Sequence, residues 1–167
     1  MDTINVSRHI DVERQVVVSA LPFEHVLARL EAALGRPDPR AFARDVATAE
    51  TVADVARVVH HAIGASGLME MARFDLAQVL RKEPGGAPKI LRLVVGNPLM
   101  MKEMVERVRD AASYVPVTIL VDERRDGVYL SYDTMSSALA PYGNAEAMKV
   151  AEAFDARVAA LLTAAAV

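Results

Sequence analysis

A short apolar run that stops at a Gly-Asn-Pro turn constrains this chain more than any other feature. In KILRLVVGNPLMMKEMVERV, residues 90–95 form the run and Gly96 ends it. Asn97-Pro98 then opens a segment whose Leu99, Met100, Met101, Met104, Val105 and Val108 recur at helical spacing. That is a strand, a tight turn and a helix. After Pro116 come two further strand-like runs, VTILVD and GVYLSYD, joined by the polar turn 123–127. Residues 89–133 therefore fix a strand, a helix and a hairpin, and any fold must pack the rest of the chain around them.

The preceding chain supplies mostly helices. Residues 13–19 (ERQVVVS) read as a strand, and Pro22 suits the first turn of a helix over 23–34 with Phe23, Val26, Leu27, Leu30 and Leu34 on one stripe. Gly35 stands where a left-handed cap would close it. Asp38 can cap a second helix over 39–47, and a third, over 49–63, carries Val52, Val55, Ala56, Val59 and Ile63. Residues 68–74 give an imperfect strand pattern, Asp75 can cap a short helix over 76–82, and EPGGAP forms a loop. Beyond the hairpin, 134–143 reads as a loop, and Asn144 caps a last helix over 145–163.

Helices and strands do not alternate strictly, and the clear antiparallel pair favours an α+β class over a doubly wound parallel sheet. The expectation is a curved, largely antiparallel sheet with helices packed on it and an extra helical segment at about 37–66. At 167 residues the default is one domain over 12–167, with a flexible N-terminus over 1–11. The core is built of small residues, since Ala and Val dominate and Trp is absent.

Composition excludes several chemistries. With 19 basic and 22 acidic residues interspersed there is no basic field to hold a phosphate backbone, so nucleic acid is not expected as a partner. With no Cys there is no disulfide, thiolate nucleophile or Cys-ligated metal. No signal-peptide pattern is visible and no run approaches the ~20 apolar residues that span a bilayer, which places the protein in the cytoplasm with no membrane partner.

Each candidate site has a plain structural reading beside it. Asn97 and its turn could bind an anion at a helix start, yet Asn97 can itself cap the helix and Pro98 removes a donor. EPGGAP lacks the GK[ST] ending of a phosphate loop and precedes a strand. Of the four histidines, His9, His25, His60 and His61, the last two are adjacent on a helix, about 100° apart, and cannot ligate one metal as an i, i+4 pair would, so no metal site is expected. Ser66 in GASG lacks the spacing and the preceding strand of a nucleophile elbow. Asp122, Glu123 and Asp126 suit a solvated turn. Tyr132, Asp133, Ser136 and Ser137 concentrate phenol, carboxylate and hydroxyls in one stretch, which either forms a turn or lines a small pocket. Met100, Met101 and Met104, echoed by Met69 and Met71, are core filler or an adaptable docking surface.

Taken together, these motifs resemble the domain of unknown function 302 family. The resemblance rests on Gly96-Asn97-Pro98-Leu99, Tyr114-Val115-Pro116, Ile119-Leu120-Val121-Asp122, Gly127, Tyr132-Asp133 with Ser136-Ser137, and Asp155 in EAFDARVAALL, together with LPFEHVLARLEAALGRPD near the start. It implies helices on a curved, largely antiparallel sheet and subunits that pair as homodimers. Other members often carry Cys near the GNP turn or after the following Pro; here Val117 follows Pro116, so no thiol role transfers.

With no complete catalytic constellation, the reading is a non-enzymatic domain that binds a small, partly apolar ligand through Asn97, Tyr132, Asp133, Ser136 and Ser137, with no cofactor. The alternatives are a homodimeric interaction module docking through a Met-rich or Ala-rich helix face, and an enzyme using Asp133 as acid or base.

Overall fold

The structure, a computed structural model, describes residues 5–80 and 89–167. Among them, β1 (Arg14–Ser19), β2 (Met69–Asp75), β3 (Ile90–Gly96), β4 (Val117–Arg124) and β5 (Gly127–Asp133) form one sheet in the order β1-β5-β4-β3-β2. Every neighbouring pair is antiparallel, and the sheet is curved and not closed. The α+β class read from the sequence is the class of the structure.

The period-two alternation of the strands decides which face is covered. Leu91, Leu93 and Val95 of β3, Val117, Ile119 and Val121 of β4, and Val128, Leu130 and Tyr132 of β5 are buried beneath helices. Their alternates, among them Arg92, Thr118, Leu120, Ser131 and Asp133, lie on the opposite, more open face. Both faces of β1 are marked the same way: Val16 and Val18 are about half exposed while Ser19 is buried.

The helical layer centres on α7 (Ala145–Ala166), which packs against α1 (Phe23–Ala33), α5 (Pro98–Arg107), α6 (Met135–Leu139) and β1. Phe154, Val158 and Leu162 of α7 and Val26 and Leu30 of α1 are fully buried. Each such side chain contributes roughly 1.5–3 kcal/mol of transfer free energy. Its outward face carries Glu146, Lys149 and Glu152, so the helix is amphipathic in the sense its sequence requires.

The extra helical segment is a pair, α2 (Pro39–Thr48) and α3 (Val52–Ala62). Asp38 caps α2 as expected, accepting from Ala41 N at 2.8 Å. Helix α3 begins three residues later than its apolar pattern suggests, because Thr51 and Asp54 form a capping box there. Only Val59 and Ala62 of α3 are buried and α2 buries none, so this pair is an appendage to the layer rather than part of its core.

One expectation changes where the ends of α1 and α3 meet. Gly35 takes no left-handed cap: Leu34 ends α1 in an extended conformation. A Cβ on Gly35 would stand 1.8 Å from Ala62 O, and one on Gly64 would stand 2.3 Å from Ala33 O. These glycines let two helix ends cross backbone to backbone, and Gly35 N and Gly64 N both donate to Leu68 O, at 3.0 and 2.9 Å.

Two further differences concern β2 and the stretch after the hairpin. The imperfect pattern in 68–74 is a strand with a register shift between Glu70 and Ala72, which is why its alternation breaks. Residues 134–143, expected as a loop, contain α6 and a 3-10 turn, Ala140–Tyr142. The short helix after β2, α4, is Ala77–Leu80, and EPGGAP at 83–88 lies outside the described residues.

Candidate functional site

Tyr132 and Asp133 are consecutive residues of β5, so their side chains leave the sheet on opposite faces. Tyr132 is buried under the helices, and Asp133 lies on the open face. The five polar groups expected to converge on one ligand therefore do not share a site. Adjacent positions in a strand cannot, whatever chemistry their side chains carry.

Beneath the helices, Tyr132 belongs to a closed network. Its hydroxyl donates to Asp155 Oδ1 of α7 at 2.5 Å. Asp155, itself buried, also accepts from Met135 N at 2.8 Å through Oδ1 and from Ser136 N at 2.9 Å through Oδ2. A carboxylate delivered from α7 thus caps the first turn of α6, where backbone N–H groups lack helical partners. Burial, and then the Asp155 carboxylate, push the Tyr132 phenol well above the ordinary tyrosine range. The phenol is a fixed donor, and the arrangement locks β5, α6 and α7 together.

Asn97 is equally occupied. Its Oδ1 accepts from Leu99 N at 3.0 Å and Met100 N at 3.3 Å, capping α5, and its Nδ2 donates to Gly67 O at 2.8 Å. Ser137 Oγ donates to Thr134 O at 2.8 Å, and Ser136 contributes its backbone N–H to Asp155. Ser66, in the glycine turn, donates to Ala33 O at 2.9 Å. All of these groups act within the fold.

The open face carries a cavity of about 500 Å³ where β4 begins and β5 ends. Ladder register explains its floor: Arg92 pairs across with Leu120, and Leu120 with Ser131, placing three side chains in one row. Ile10 and Val12 of the chain before β1, with Pro116, add apolar wall. That leading segment is attached here, since Arg8 Nη1 donates to Pro141 O at 2.9 Å and Thr134 N donates to Glu13 O at 2.9 Å.

Three polar features distinguish this cavity. Arg14 grips Asp133 with two hydrogen bonds, Nε to Oδ1 at 2.6 Å and Nη2 to Oδ2 at 2.8 Å, which holds the Asp133 carboxyl below the usual carboxylate range. Arg92 donates through Nε and Nη2 to one neutral oxygen, Thr118 Oγ1, at 3.2 and 3.1 Å. Thr134 is buried, and its Oγ1 has no hydrogen-bond partner among the described residues. The last follows from the network on the other face: Thr134 stands at the N-cap of α6, but Asp155 already takes the Met135 and Ser136 N–H groups, leaving the threonine hydroxyl unused.

Of the five residues singled out from the sequence, only Asp133 lines this cavity. Arg14, Arg92, Thr118, Leu120, Ser131 and Thr134 were missed. Their signal was available in part, because period-two alternation alone sets Arg92, Leu120 and Ser131 off-phase from the buried residues. Which off-phase positions meet across strands depends on register.

The remaining candidates are accounted for locally. Asp122 pairs with Arg124 at 2.6 Å, and Asp126 accepts from Tyr129 at 2.8 Å. Met104 is fully buried, and Met100 and Met101 pack against the core. His60 and His61 are exposed on α3. Among the described residues no group of three or more His, Asp or Glu is placed to hold a metal ion, and no helix is long and apolar enough to cross a membrane.

Among curated proteins none matches the chain. A solved structure, the uncharacterized conserved protein DUF302 from Bacillus stearothermophilus, superposes with a TM-score of 0.63 at 12% identity, covering 91% of this chain and 97% of that one. The identity is low, so this likeness speaks for the fold. The sequence model for "Domain of unknown function DUF302" matches residues 44–165, a stretch that holds the GNP turn, the hairpin, Tyr132 and Asp155. This chain belongs to the DUF302 family.

Proposed function

We propose that the protein is a non-enzymatic binding domain whose ligand, small and partly apolar, occupies the open-face cavity. The carrying observation is the Thr134 hydroxyl, buried in the cavity lining with no partner. A buried polar group left unpaired is costly; this oxygen is shielded from solvent behind the cavity lining, and a ligand that displaces the lining to reach it gains the missing hydrogen bond. A volume of about 500 Å³ lies within the range of small-molecule sites. The ligand-binding role expected for Asp133 is kept in this reading; the roles expected for Asn97, Tyr132, Ser136 and Ser137 pass to Thr134, Arg92 and Ser131.

The test is a thermal-shift panel of small metabolites on the wild type and on Thr134→Val. A ligand that raises the wild-type midpoint and loses at least half of that effect in Thr134→Val supports the reading. A panel that moves neither protein, or moves both equally, counts against it.

A second reading, a homodimeric interaction module, has its own observation. Ala153, Ala156, Ala160 and Ala164 are exposed along α7 at spacings of three and four and line a groove with Ala33 and Ala65. Small residues permit close helix approach. Sedimentation at several concentrations decides: a dimer dispersed by Ala160→Glu supports this reading, and a monomer throughout removes it.

A further inference from the structure

We propose that the cavity ligand is an organic monocarboxylate with a short aliphatic body, its carboxylate held by Arg92. This deepens the ligand-binding reading and rests on it. The argument begins with charge. The cavity lining holds two guanidiniums, Arg14 and Arg92, and one carboxylate, Asp133. Arg14 spends its fork on Asp133, so the charge left over is that of Arg92.

Arg92 has no carboxylate partner among the described residues, unlike Arg14, Arg73 and Arg124. Its Nε and Nη2 both donate to Thr118 Oγ1, which orients the guanidinium along the open face. A guanidinium has five N–H groups, so this pose leaves the Nη1 protons and the second Nη2 proton unused. Those protons form the end-on edge that grips a planar carboxylate bidentately. The Ser131 hydroxyl, in the same cross-strand row, and the unpartnered Thr134 hydroxyl are further donors.

The rest of the lining sets the body of the ligand. Leu120, next to Arg92 across the ladder, and Pro116, Ile10 and Val12 elsewhere in the lining offer apolar surface. With Asp133 paired to Arg14, the lining has one unmatched positive charge, which balances one negative charge on the ligand and leaves a second without a partner. A dicarboxylate or a bare inorganic anion fits this wall less well than a monoanion with an alkyl tail.

The experiment uses three probes of matched length, hexanoate, hexanamide and 1-hexanol, with inorganic phosphate as a fourth. Each is titrated to tens of millimolar into the full-length protein while backbone amide NMR shifts are followed. Hexanoate is expected to shift the amides of Arg92, Leu120 and Ser131 saturably. Hexanamide and hexanol should bind about tenfold or more weakly, as the loss of a charge-assisted bidentate contact requires. In Arg92→Gln the carboxylate preference should vanish, and in Arg92→Lys, which keeps the charge without the fork, it should fall to an intermediate value. Unchanged amide spectra outside the cavity verify that both variants are folded.

Equal affinity for the three hexyl probes, in wild type and Arg92→Gln alike, overturns the carboxylate assignment while leaving the cavity reading in place. Phosphate binding as tightly as hexanoate also overturns it, since the site would then take any anion. If no probe shifts the cavity amides, the carboxylate assignment and the ligand reading both fall.

Discussion

At the end of β5 two neighbouring residues live in different solvents. Tyr132, facing the helices, is one donor in a network where Asp155 also accepts from Met135 N and Ser136 N. Asp133, facing the other way, sits at the rim of a cavity that also holds Arg92, which has no acid partner among the described residues, and Thr134, whose hydroxyl has no hydrogen-bond partner among them. Under the helices, water is excluded, so polar groups persist only when satisfied. On the open face, solvent and ligands can reach Arg92 and supply what the chain does not, while Thr134 Oγ1, shielded from solvent, keeps its deficit until a ligand enters. Polar residues on the covered face therefore report on architecture, and function is to be sought where satisfaction is incomplete.

The hardest test of this contrast is Asp155→Ala. It removes the acceptor of three hydrogen bonds at a buried position, strands the Tyr132 hydroxyl proton and Ser136 N–H, and leaves Met135 N only its 3.1 Å bond to the Tyr132 oxygen. Chemical denaturation should show a loss of about 3–5 kcal/mol. A loss comparable to that of a surface substitution would mean that the two faces do not differ as described.

Tyr132→Phe takes one donor from the same carboxylate and should cost about 1–3 kcal/mol near neutral pH. Its pH dependence carries a sign. Because the folded phenol is held above its ordinary value, the stability linked to keeping it protonated is present below the unfolded pKa of about 10 and is lost as pH rises. Wild type should approach the variant above about pH 10, by up to about 1.4 kcal/mol per pH unit. A gap that stays constant or widens there would contradict the buried, neutral phenol.

Thr134→Val should act in the opposite direction. Valine preserves the shape and removes a buried hydroxyl without a partner, so stability in the absence of ligand should rise by about 1 kcal/mol. A loss of stability instead would show that the hydroxyl is already satisfied, and the open face would no longer differ from the covered one.

The smallest effect belongs to Asp133→Asn. The Arg14 pair is substantially exposed, with side chains at 64% and 46%, and such pairs contribute about 0.2–1 kcal/mol. Arg14 holds the folded pKa of Asp133 below its unfolded value, so the contribution is present above about pH 4 and is lost as pH falls through the lower folded value. Added salt should shrink it further, and a cost of several kcal/mol would mark the ion pair as structural rather than as part of a cavity rim.

The backbone of the fold was readable because its signals are local. GVYLSYD alternates, and β5 spans the same seven residues; Asn97 and Asp38 sit before apolar helical stripes, and both are caps. Helix α6 was not readable because its first turn is capped by a carboxylate twenty residues away, while the hydroxyl at its own N-cap does nothing for it. Gly35 was misread for a similar reason: the contact that demands a glycine there is with Ala62 O of another helix. The candidate site is the least legible part, since Tyr132 and Asp133, neighbours in sequence, leave the sheet on opposite faces.

By itself, the sequence determined the strands, most of the helices and the class of fold, because periodicity and caps act over a few residues. It also limited the chemistry: a chain without Cys and with balanced charge offers no thiolate and no basic field. Tertiary structure alone decided which polar groups are spent and which are free. Register brings Arg92, Leu120 and Ser131 into one row, and the packing of α7 delivers Asp155 to Tyr132 and α6, releasing Thr134. Those are contacts between residues far apart in the chain, and their partners exist only once the sheet and its helical layer have closed on one another.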